Sequence, residues 1–149
     1  MGLTISLHVA GMYALSPVFG ALTDRFGART VVLGGQVLFL AALLLSLLGA
    51  EDTTLVAASL VLLGLGWSAA TVAGSTLVSA SVPAPQRPRL QGVSDALMNL
   101  AGAAGGALAG PVSARAGFDG LAAVLLVLVA ATTFVQRQHR RVQAGPATD

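Results

Sequence analysis

The stretch GALTDRFGART, residues 20–30, places Asp24, Arg25 and Arg29 within six positions of a 149-residue chain in which only 9% of residues are charged. The sequence on either side is apolar. No Asp, Glu, Lys or Arg precedes Asp24, and the 20 residues from Val31 to Ala50 carry no charge, about the number a helix needs to cross a hydrocarbon core at roughly 1.5 Å per residue. The charges therefore mark a turn between two membrane spans.

Composition agrees. Hydrophobic residues make up 55% of the chain and the mean hydropathy is +0.82, whereas a soluble domain carries roughly a quarter charged residues. The pI near 10.5 reflects a scarcity of acids, since the net charge is only +2. No basic cluster is interleaved with aromatics, so no nucleic-acid partner is expected. The absence of cysteine excludes disulfides and thiolate chemistry, and the absence of lysine excludes a P-loop or a Schiff base. His8 and His139 lie at opposite ends of the chain, and no H-E-x-x-H or G-x-S-x-G pattern occurs. No catalytic residue, metal or cofactor is expected, and the chain does not read as an enzyme.

The expected fold is all-α: a polytopic membrane helix bundle with five transmembrane helices, at about 3–22, 31–50, 54–82, 93–114 and 120–136, and a polar cytoplasmic tail over 137–149. Pro83 and Pro85 mark the end of the third span. The first segment lacks the leading positive residues of a secretory signal, and its charged turn follows it. Five crossings put Arg25, Arg29, Arg87, Arg89, Arg137, Arg140 and Arg141 on one side, and Glu51, Asp52, Asp119 and Arg115 on the other. By the positive-inside rule the N-terminus is outside and the tail cytoplasmic. An uncharged N-terminus translocates more readily behind a preceding helix, so Met1 is expected to be internal to a longer protein, or the reading frame to have been cut. Abundant Ala, Gly and Arg without Lys resemble proteins of high-GC bacteria and point to a bacterial inner membrane.

Gly20, Leu22, Asp24, Arg25, Gly27 and Arg29 spell G-x-L-x-D-R-x-G-x-R in a cytoplasmic turn between two spans. This resembles the signature loop of the major facilitator superfamily of secondary transporters. Thr23, Ala28 and Val32 depart from the family's usual residues. Gly64 and Gly66 resemble the glycine pair of the family's fourth helix, but Leu60 stands where an arginine is usual. Gly106, Gly110 and Pro111 have the G-x-x-x-G-P spacing of the antiporter fifth-helix motif, yet Ala114 and Arg115 replace the glycine pair that follows, so drug antiport is not inferred.

The resemblance covers roughly residues 3–136 and implies a partial major-facilitator fold: helices eight to twelve of a two-half transporter, with helices two to six as the alternative. It implies a secondary active transporter that moves a small molecule across the cell membrane by alternating access, without a cofactor. Its partners would be that substrate, the lipid bilayer and the missing N-terminal half. The loop would act as a conformational clasp on the cytoplasmic side; the competing reading is topological anchoring by Arg25 and Arg29 alone.

Other residues carry paired readings. Gly102, Gly106 and Gly110 recur every four residues and, with Pro111, form a helix-packing seam. The same seam fits a small self-associating membrane scaffold protein without transport activity. His8 is the one ionisable side chain deep in an expected span, and reads as a cavity residue for substrate or proton or as an interfacial histidine. Trp67, mid-span, either packs or lines a cavity. Gln36 and Asn99 bond between helices or to substrate. Asp95, after QGVS, reads as a cap at the cytoplasmic start of a helix, with pairing to Arg87 or Arg89 as the alternative.

Overall fold

The computed structural model describes residues 2–49 and 51–143, and every element found there is helical. Five helices follow one another: α1 Gly2–Tyr13, α2 Ser16–Phe26, α3 Ala28–Leu48, α4 Thr53–Ala80 and α5 Arg87–Gln143, with a 3-10 turn at Ala84–Gln86. Among the described residues three stretches are long and apolar enough to cross a membrane: Ile5–Phe26, Ala28–Leu48 and Thr53–Ala80. A shorter apolar helical stretch covers Ala123–Val135.

The first span is two helices rather than one. Pro17 lies in the first turn of α2, where its missing N–H costs nothing, but its ring cannot follow an uninterrupted helix from Tyr13. The turn expected around residues 23–30 shrinks to one residue. Gly27, at φ 84° and ψ 142°, ends α2 and starts α3, and only glycine adopts that backbone without strain. Asp24 and Arg25 thus belong to the last turn of α2 and Arg29 to the first turn of α3.

Asp52 caps α4 by accepting hydrogen bonds from the Thr54 and Leu55 amides at 2.8 and 3.4 Å, the usual service of a carboxylate to free helix-start amides. The break expected near residues 115–119 falls at Gly117, whose φ of 65° interrupts α5. Of the polar tail expected over 137–149, residues 137–143 continue α5 and residues 144–149 lie outside the described residues.

α4 is the central helix. α1 and α2 run beside it in the same direction, because His8 meets Leu60 and Ser16 meets Ser68, both pairs 52 residues apart. α3 packs on it antiparallel. Gly64 and Gly66 explain how both neighbours come close. Two positions along a helix turn the side-chain direction by roughly 200°, so Gly64 abuts the α1 backbone at His8 and Met12 while Gly66 abuts Gly35 and Phe39 of α3. The buried apolar residues are correspondingly small: Val31, Ala42, Ala69 and Ala73. Large side chains such as Leu44, Leu48, Val37 and Tyr13 face outward, as expected where lipid is the solvent and helices associate through small-residue packing.

α5 is tied to the others at two points. Near its start, Gln91 Nε2 donates to Ser75 Oγ of α4 at 3.2 Å. Toward its end, the Gln36 amide of α3 bonds to two hydroxyls: Nε2 donates to Thr132 Oγ1 at 3.1 Å and Oε1 accepts from Thr133 at 2.7 Å. Beside this tie α3 and α5 enclose a groove of about 500 Å³ lined by Leu40, Leu126, Val129, Ala130, Thr133 and Phe134.

Candidate functional site

The quoted turn is built on an apolar foundation. Val31, Ala69 and Ala73 form a buried cluster, against which Phe19, Leu22, Ala28 and Val32 pack. Leu22 of the signature pattern therefore points inward, whereas Asp24, Arg25, Gly27 and Arg29 are exposed. A Cβ at Gly20 would meet nothing within 4 Å, so that glycine is not enforced by any neighbour among the described residues. The Arg25 guanidinium lies 5.4 Å from the centroid of the Phe26 ring, within cation–π range. Arg25 also suits the negative end of the α2 dipole, whereas Asp24, in the same last turn, opposes it.

Thr23, a departure from the family pattern, is only 5% exposed, and its hydroxyl is buried without a hydrogen-bond partner. Leaving such a group unpaired costs about 1–3 kcal/mol. Thr23→Val keeps the shape and removes the orphan hydroxyl, so a stability gain of about 1 kcal/mol is expected. A rise in the thermal unfolding midpoint of the detergent-solubilised chain checks this; an unchanged or lowered midpoint refutes it.

The residues read as intramembrane candidates do not converge. His8 Nδ1 lies 2.8 Å from the Leu60 carbonyl, at the very position where the family's arginine is missing. A neutral ring bonded in this way donates through Nδ1 and keeps Nε2 as an acceptor. Gln36 is 8% exposed and spends its amide on Thr132 and Thr133, a bond between helices. Trp67 is 37% exposed, on a third face of α4 between those used by α1 and α3, together with Leu63 and the unobstructed Gly74.

Asn99 donates to the Asp95 carbonyl one turn back at 2.8 Å. The capping role expected of Asp95 does not hold: α5 starts eight residues earlier at Arg87, because Pro88 falls in the first turn, where proline is tolerated. Asp95 instead accepts from Gln91 Nε2 at 3.0 Å.

Gly102, Gly106 and Gly110 are exposed, with open space where each Cβ would stand, and Pro111 is exposed beside them. The seam meets no helix among the described residues. Among the described residues no group of three or more His, Cys, Asp or Glu side chains could hold a metal ion.

Two features escaped the sequence. The Ser16–Ser68 hydroxyl pair at 3.1 Å bolts α2 to α4, and Thr132 and Thr133 bind Gln36. Hydroxyls in apolar runs were the available signal, but nothing in the linear order pairs them.

The sequence profile of the Major Facilitator Superfamily matches residues 1–149. Two similar proteins come from Bacillus subtilis (strain 168). The uncharacterized MFS-type transporter YddS is 40% identical over 119 residues, which are 79% of this chain and 27% of that protein. The uncharacterized MFS-type transporter YdeG is 36% identical over 125 residues, 83% of this chain and 29% of that protein. The chain thus spans under a third of the length of these relatives. No solved structure matches it.

Proposed function

The chain belongs to the major facilitator superfamily, and from that premise we propose that it is a segment of a secondary active transporter that moves a small molecule across the cell membrane by alternating access. The observation that carries this reading is the family match along all 149 residues, joined to three apolar helical stretches long enough to span a bilayer. The chemistry required of such a protein is modest: two bundles rock about a central site near the bilayer midplane, and no bond is made or broken in the cargo. An enzyme is not needed for that task, nor a cofactor.

On this reading the turn from Asp24 to Arg29 is the clasp that closes the cytoplasmic side, with the N-terminus outside. The open third face of α4, carrying Trp67, lines the central cavity. The open glycine face of α5 packs against the part of the transporter that this chain does not include. His8 and Asn99 are the polar side chains available to a substrate or proton, and Gln36 holds helices together.

The chain has no cysteine, which makes a direct test available. In a complete transporter freed of other cysteines, Trp67→Cys should react with a membrane-impermeant thiol reagent from either face of sealed vesicles, and to completion from each. Reaction from one face only would contradict alternating access at this helix. A residue buried in a static scaffold would react from neither.

A further inference from the structure

A groove of about 330 Å³ opens between α2 and α3, lined by Phe19, Leu22 and Phe26 on one wall and Thr30, Gly34 and Leu38 on the other. Phe19, Leu22 and Phe26 recur at three and four residues and so form one stripe, about 10 Å long at 1.5 Å per residue. Gly34 keeps the opposite wall low: a Cβ there would meet nothing within 4 Å.

An arginine outside the lining flanks one end of this apolar channel. Phe26, at its mouth, is 55% exposed, and the Arg25 guanidinium sits over the ring at 5.4 Å, with the exposed Thr30 across the mouth. At roughly 100° per residue, Asp24 points about 170° away from the groove stripe of α2, so its carboxylate does not neutralise Arg25 there. Arg29 lies on the far side of α3 by the same reckoning and is not part of the mouth.

An occupant must therefore be apolar along its length and anionic at one end. We propose that the α2/α3 groove seats a phospholipid with an anionic headgroup, one acyl chain lying along Phe19, Leu22 and Gly34 and the phosphate held by Arg25. A guanidinium offers paired N–H donors to phosphate oxygens. A free phosphate would gain nothing from the apolar walls. The inference requires only that the chain sits in a bilayer and is independent of what is transported.

The test is lipid retention, read by native mass spectrometry of the purified 149-residue chain in detergent. Dioleoyl-phosphatidylglycerol and dioleoyl-phosphatidylcholine, supplied in equal amounts, differ only in the headgroup. The unaltered chain should retain the glycerol lipid roughly fivefold over the choline lipid, the effect of one arginine near a lipid surface. Arg25→Gln should erase the preference, and Gly34→Leu, which fills the groove without striking backbone, should reduce retention of both lipids. Equal retention by the unaltered chain, a preference that survives Arg25→Gln, or retention untouched by Gly34→Leu would each overturn the proposal. So would a dimer that retains neither lipid, which would give the groove to a second copy.

Discussion

Gly64→Ala should destabilise the bundle by about 3 kcal/mol, the upper end of the usual cost of overpacking. A methyl at this position would stand 2.5 Å from the His8 carbonyl oxygen and 3.2 Å from the Met12 amide nitrogen. Both are backbone atoms, so no side-chain rotation relieves the clash and α1 itself must move. Moving it strains the His8–Leu60 bond on one side of the crossing and the Ser16–Ser68 bond on the other. Gly11 compounds the sensitivity, since its own Cβ would lie 3.2 Å from the Val61 carbonyl.

Gly74→Ala, on the same helix, is the control. Nothing lies within 4 Å of its Cβ, and the change should gain up to about 1 kcal/mol from helix propensity. The single tryptophan, Trp67, lies on α4 three residues from Gly64 and reports both variants by fluorescence during unfolding in mixed micelles. Coincident midpoints for Gly64→Ala and the unaltered chain would show that the crossing is looser than described.

The contrast between these two glycines also marks how far the sequence could be read. The three long apolar stretches, Ile5–Phe26, Ala28–Leu48 and Thr53–Ala80, were legible because hydropathy is a sum over some 20 residues, insensitive to any one of them. The signature turn was legible because Gly27 must adopt a backbone only glycine tolerates. Element ends were less so: the helix of Asp24 runs on to Phe26, and α5 starts well before Asp95, because a proline in a first turn looks the same in sequence as one that stops a helix. Which glycine touches what was not legible at all. Gly64 and Gly66 resembled a family pair, yet their division of labour between α1 and α3 depends on helix phase. Gly102, Gly106 and Gly110 form the more regular pattern and meet nothing among the described residues. Periodicity specifies a face, but only the rest of the structure supplies a neighbour.

Asp24→Asn should lower transport about tenfold or more in a complete transporter carrying this segment, while its amount in the membrane stays unchanged. The side chain is exposed, so no packing is lost. Its charge sits in the last turn of α2, where the helix dipole disfavours an anion by some tenths of a kcal/mol, so the asparagine variant should fold at least as well. The neighbours fix its direction: Leu22 and Phe26 commit their face of α2 to the α3 side. The carboxylate is thus presented away from the lipid groove, to whatever closes against this surface. A clasp of this kind contributes through differential stability of two states, and coupling energies of about 1–3 kcal/mol correspond to roughly 5- to 150-fold effects. Uptake normalised to protein in the membrane reads the outcome, with Asp24→Glu as a partial rescue because it keeps the charge and shifts it by one methylene. Full uptake by the asparagine variant would reduce the turn to an anchor, and Arg25 and Arg29 would then suffice to explain its charge.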